Sequence, residues 1–129
     1  MRPTKITSAE APQPGGAYSQ GIAANGFLHT AGFGPIDPVS RAVVGDTIEE
    51  QTAQTLRNIG AVLREAGLDF SDVVKTTVHL HDLGRDFAGF DATYRLSFSE
   101  PFPVRTTVGS TLAGILVEID VVAALRQAS

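Results

Sequence analysis

The chain has no cysteine among its 129 residues. That single absence removes disulfide staples, thiolate nucleophiles and Cys-based zinc sites. No apolar run approaches the roughly 18 residues needed to cross a bilayer. The longest candidate, 115–125, is interrupted by Glu118 and Asp120. The opening MRPTKITSAE is polar and lacks the apolar stretch of a signal peptide, so the expected location is the cytoplasm. A basic stripe is also missing. The ten Lys and Arg residues are scattered, no two are adjacent, and the formal net charge is −4. A surface of this kind repels phosphate, which argues against nucleic acid as a partner. Neither a phosphate loop with its lysine nor a nucleophile elbow occurs.

What is present reads as one globular domain over 1–129, with 43% hydrophobic and 19% charged residues. Residues 3–8 fit a short first strand, and the Pro/Gly cluster 12–16 fits a loop. Asn25-Gly26 between the strand-like runs 18–23 and 27–31 is a hairpin signal. Asp46 followed by Glu49 matches a capping box. Ile48, Thr52, Leu56, Ile59, Val62, Leu63 and Ala66 then recur at helical spacing up to a stop at Gly67, predicting a helix over 47–66. Residues 73–80 alternate, with Val74, Thr76, Val78 and Leu80 on one face and Lys75, Thr77, His79 and His81 on the other. A second helix is predicted over 86–98, with Phe87, Phe90, Tyr94 and either Leu96 or Phe98 inward, before Pro101 and Pro103 end it. Residues 104–109 and 116–125 are the last strands. The order predicts an α+β fold, a mixed sheet with two helices packed on one face. No third helix is left to cover the other face, so a homo-oligomer is expected.

The last strand carries the oddest pattern. Period 2 places Glu118 and Asp120 on one face and Val117, Ile119 and Val121 on the other. A carboxylate on a central strand calls for a cation or several donors. A β-hairpin centred between Thr111 and Leu112 would set Arg105 opposite Glu118, with Thr107 on the face of Arg105. Two readings stay open: a structural ion pair, or a guanidinium with a free edge that grips a substrate carboxylate. The segment Gly15-Gly16-Ala17-Tyr18-Ser19-Gln20-Gly21 reads as a loop with Tyr18 packing its ring, and Gly32-Phe33-Gly34 as a turn. His79 and His81 are spaced i, i+2, but two ligands do not make a metal site, so no metal is expected; His29 stands alone in its strand and reads as structural.

Taken together, GAYSQG (16–21), HTAGFGPIDP (29–38), LREAGLDFSDVVKTTVHLHDL (63–83), DATY (91–94) and PVRTTV with LVEIDVVA (103–123) resemble the RidA/YjgF family of enamine/imine deaminases. The likeness runs through nearly the whole chain. It implies a chorismate-mutase-like homotrimer with active sites between subunits, and no cofactor. The implied reaction hydrolyses small carboxylate-bearing enamines and imines like 2-aminoacrylate, released by pyridoxal-phosphate enzymes, to 2-keto acids and ammonia. The resemblance assigns substrate-carboxylate binding to Arg105, water placement and proton relay to Glu118, and pocket lining to Tyr18. Gly32 and Thr107 match positions bordering the substrate. Ala31 stands where many members have Ser, Thr107 where Cys is frequent and Asp91 where Asn is common. The alternatives are a non-catalytic metabolite-binding, regulatory or chaperone-like trimer and, less favoured by charge, an endoribonuclease.

Overall fold

The structure is a computed structural model that describes residues 2–126. Its elements are β1 (Thr4–Ile6), β2 (Gly21–Ala24), β3 (Phe27–Thr30), α1 (Ile48–Glu65), a single 3-10 turn (Phe70–Asp72), β4 (Val73–Leu80), α2 (Leu83–Tyr94), β5 (Val104–Gly109) and β6 (Val117–Ala124). The strands form one six-stranded sheet in the order β1-β2-β3-β6-β4-β5. β4 and β5 run parallel, and every other neighbouring pair is antiparallel. This is the expected mixed sheet with two helices over one face.

The expected hairpin between the last two strands does not form. β4, α2 and β5 make a parallel crossover unit, which places β5 at the edge. β6 then inserts between β3 and β4. The reason is burial. β6 alternates fully, with Val117, Ile119, Val121 and Ala123 all at or below 1% exposure, and such a strand belongs in the centre. β5 is exposed at most positions, as an edge strand can be. Its return path, 110–116, crosses the end of β4, where Leu112 N–H donates to His81 Nδ1 and His81 N–H to the Leu116 carbonyl.

Asn25 and Gly26 take φ of +53° and +88°, the paired positive values a two-residue hairpin turn requires. The α1 cap sits one residue later than expected. Thr47 is the N-cap, its hydroxyl accepting from Glu50 N–H while the Glu50 carboxylate accepts from Thr47 N–H. Helix α2 begins earlier and ends earlier than expected, capped by Asp82. Phe87 is 39% exposed, not inward, and of the two candidates after the helix Phe98 is the buried one. β4 carries a bulge between Val73 and Lys75, so Val73 takes the buried place expected of Val74.

Several buried polar side chains of α1 secure loops instead of packing against apolar groups. Asn58 Nδ2 donates to the carbonyls of Gly34 and Ile36 at 3.0 and 2.9 Å. Gln51 donates to the Gly45 carbonyl and accepts from Leu116 N–H. On the far side, Gln20, 1% exposed, accepts from Ser8 N–H and donates to the carbonyls of Ser8, Ala11 and Pro12. It thereby ties the N-terminal loop to β2. Replacing Gln20 by Leu strands these buried groups, and urea unfolding is expected to show a loss of about 1–3 kcal/mol. A change below a few tenths would mean that the loop is not held through this amide.

Candidate active site

Arg105 lies on β5, paired with Thr76 of β4, which in turn pairs with Val121 of β6. Paired residues share a face, so Arg105 lies on the helix side of the sheet. Its guanidinium carbon sits 4.8 Å from the ring centre of Tyr94, 5.5 Å from Phe90 and 5.6 Å from Phe87. Cation–π attraction to three rings of one face of α2 therefore helps to hold it. Tyr94 is itself fixed by a 2.9 Å hydrogen bond between its hydroxyl and that of Thr76.

The partner of Arg105 is Asp91, not Glu118. Arg105 Nη1 donates to Asp91 Oδ1 at 2.7 Å, and Arg95 Nη2 donates to Asp91 Oδ2 at 2.8 Å. The two guanidiniums, Arg95 first, hold the Asp91 carboxyl below the usual carboxylate range. Asp91, Arg95 and Arg105 line a cleft of about 300 Å³ together with Tyr94, Phe98, Phe102 and Pro103. A small carboxylate has room here beside a preformed cation.

Glu118 lies on the opposite face. It pairs with His79, which pairs with Val108, while its neighbours Val117 and Ile119 point into the core. Among the described residues, Glu118 makes no side-chain hydrogen bond or ion pair. Gly32 is packed against it: a Cβ built on Gly32 would lie 2.7 Å from Glu118 Oε2 and 2.9 Å from its Cδ. The approach is fixed by the neighbouring residue, because Phe33 and Ile119 exchange both backbone hydrogen bonds, at 2.8 and 2.9 Å. The segment read as a plain turn is therefore a short bridge onto β6. Asp120, on the same face, has its carboxyl pushed upward by burial, against the opposing pull of His79 and Lys75.

The remaining sequence-predicted residues distribute as follows. Thr107 pairs with Val78 and shares the face of Arg105. Tyr18 is 55% exposed in the loop before β2, and its hydroxyl accepts from Gly15 N–H at 3.1 Å. Ala31 lies against the core, with its N–H donating to the Gln20 carbonyl. The structure thus brings Arg105 and Asp91 together, and Gly32 and Glu118 together, in two separate groups. His79 Nδ1 is 2.6 Å from Ser110 Oγ, so both histidines serve the return loop. Exposed His29 pairs with Ile22 and Val122.

Sequence reasoning missed the approach of the three α2 rings to Arg105, and it missed Arg95. The i, i+4 spacing of Asp91 and Arg95 on one helix was the available signal for the second.

The family described as Endoribonuclease L-PSP matches residues 8–125. The chain belongs to this family, that of RidA and YjgF. It is 48% identical over 124 residues to a RutC family protein of Synechocystis, covering 93% of this chain and 95% of that one. It is 37% identical over 120 residues to the human 2-iminobutanoate/2-iminopropanoate deaminase, covering 92% and 87%. The crystal structure of the Escherichia coli YjgF gene product superposes with a TM-score of 0.87 at 35% identity, covering 95% of this chain and 99% of that one.

Because its folded-state acidity is increased, Asp91 stabilises the fold above the ordinary Asp value near 3.9, and this contribution fades as pH falls through the lowered folded value. Asp91→Asn should therefore be less stable than the native chain at neutral pH, with the two converging in strong acid. Denaturant melts across that range check this; a constant gap at every pH would show that charge is not the cause.

Proposed function

We propose that this protein hydrolyses small carboxylate-bearing imines and enamines to 2-keto acids and ammonia. The observation that carries the reading is a guanidinium fixed by three rings with an edge facing a 300 Å³ cleft. Such a fork is preorganised for a planar carboxylate. The likeness to a human protein named for this chemistry supports it. The family description names an endoribonuclease, but the scattered cations and net charge of −4 favour a small substrate over RNA.

The chemistry needs little from the protein. An imine carbon is already electrophilic. Arg105 orients the substrate through its carboxylate. Glu118 takes a proton from water as the water oxygen bonds to the imine carbon. The imine nitrogen takes that proton to give a carbinolamine, Glu118 then relays the hydroxyl proton to the nitrogen, and the C–N bond breaks; ammonia leaves with the electron pair, yielding the C=O of the keto acid, and an enamine enters the same path after tautomerising to its imine. Tyr18 lines the pocket, Gly32 and Ala31 offer close main chain, and Thr107 and Asp91 border the substrate beside Arg105. In this reading the substrates come from pyridoxal-phosphate enzymes, and the protein works in the cytoplasm.

Arg105 and Glu118 cannot meet on one small molecule within a single chain. They point to opposite faces, with β4 between their strands, so roughly 10 Å of sheet separates them before its thickness is added. The proposed site therefore forms between subunits, Arg105 from one and Glu118 from its neighbour, in a homotrimer. The uncovered face of the sheet, with Phe27 and Val108 part-exposed, suits such packing.

Keto-acid formation from a dehydratase-generated imine is the assay. Arg105→Ala should abolish acceleration, with a binding loss of about 2–5 kcal/mol. Glu118→Gln should slow turnover about 10²–10⁴-fold while leaving carboxylate binding intact. Unfolding and reassembling the two inactive variants together should restore about a quarter of the sites, since each needs one intact group from each of two chains. A native trimer that accelerates none of several amino-acid-derived imines, yet binds keto acids through Arg105, would overturn the enzymatic reading in favour of a metabolite-binding module. No restored activity in mixed trimers would overturn the shared site.

A further inference from the structure

The cation of the cleft already has an internal carboxylate on it. Asp91 stands to Arg105 as an incoming substrate carboxylate would: an oxygen 2.7 Å from Nη1, in the same cleft. Two parallel N–H groups make the strongest carboxylate fork, and Asp91 occupies one of those donors. Its charge also repels a second carboxylate nearby. Left alone with Arg105, Asp91 would act as a resident competitor.

It is not left alone. Its other oxygen belongs to Arg95, one helical turn further along α2. The Arg95 side chain is 60% exposed, whereas those of Arg105 and Asp91 are 26% and 22% exposed. Among the described residues, Asp91 is the acidic partner common to both cations. Arg105 has a hold besides Asp91, because the rings of Phe87, Phe90 and Tyr94 lie 4.8–5.6 Å from its guanidinium carbon. Arg95 can therefore draw the carboxylate outward without releasing the guanidinium that matters.

We propose that Arg95 sets the affinity of this cleft for carboxylates by drawing Asp91 off Arg105 when a ligand arrives. Arg95 acts as a positioning residue and need not touch the ligand. Asp91 changes partner share, from bridging both guanidiniums to resting on Arg95, and the freed Nη1 completes the fork. Two guanidiniums around one carboxylate also leave the cleft with a net positive charge, which a one-to-one pair would not. The inference rests on the reading of Arg105 as the carboxylate-binding group.

The test is binding of 2-oxobutanoate to the full chain by titration calorimetry, with thermal melts to confirm folding. Arg95→Gln returns Asp91 wholly to Arg105 and should weaken binding about 10-fold, as expected when the competent state is depopulated. Asp91→Asn should tighten binding by a similar factor. In the Asp91→Asn background, Arg95→Gln should change affinity by about twofold or less, because the residue it acts through is gone. Arg95→Lys, which keeps the charge, should recover most of the loss. Equal losses from Arg95→Gln in both backgrounds would overturn the proposal in favour of direct contact. Weaker binding by Asp91→Asn would overturn it too, making Asp91 a simple orienting group. If the native chain binds no 2-oxobutanoate, or Arg105→Ala leaves binding unchanged, the reading of the cleft falls and this inference with it.

Discussion

Alternation along β6 governs both the fold and the place of the carboxylate proposed to be catalytic. Val117, Ile119, Val121 and Ala123 are sealed under α1, while Glu118 and Asp120 interleave with them on the other face. Each fully buried Val or Ile contributes about 1.5–3 kcal/mol relative to exposure. A slip of one residue would expose that apolar set and drive two carboxylates into the core. The penalty for uncompensated buried charge is several kcal/mol per ion, so the alternative register does not compete. The position of Glu118 therefore follows from the same burial that stabilises the sheet. Its free state depends on the open face having no helix over it.

The same sheet separates the two groups that the proposed chemistry needs. Parallel pairing through α2 sends β5 to the edge and keeps Arg105 on the helix side, where α2 supplies the rings around it. Gly32 and Glu118 belong to the opposite side and to the middle of the sheet. An edge strand can meet another subunit without disturbing its own pairing, as can the uncovered face that carries Glu118. Assembly and catalysis are then one requirement in the proposed trimer: half of each site is finished by the fold of one chain, and the other half by the arrival of the next.

Much of this was legible in the residues, and the failures share a cause. Asn25-Gly26, the span of α1 and the alternation of β6 are local patterns, and they appear as read. The capping box shifted by one because Asp46/Glu49 and Thr47/Glu50 satisfy the same spacing. Strand order is not a local property. A β-hairpin between β5 and β6 was assumed because they are consecutive, although β4, α2 and β5 in succession already signalled a parallel crossover. That one error moved Arg105 from beside Glu118 to beside Asp91. The bulge at Val73 and Val74 was hidden because two adjacent valines fit either face equally well.

A cation that binds substrate must be held firmly and yet left unsatisfied, and ordinary ways of holding arginine conflict with that. A bidentate carboxylate would fix Arg105 and also quench it. Aromatic faces fix a guanidinium through its plane and leave the edge donors available. Here three rings lie within 4.8–5.6 Å of the guanidinium carbon, and in the proposed reading the carboxylate at Nη1 acts as a modulator and not an anchor. Sharing that carboxylate with an exposed second arginine keeps the edge within reach of an incoming acid. For a reaction whose electrophile is already reactive, orientation is the main thing the protein must provide, and a guanidinium held beside aromatic rings is suited to supply it.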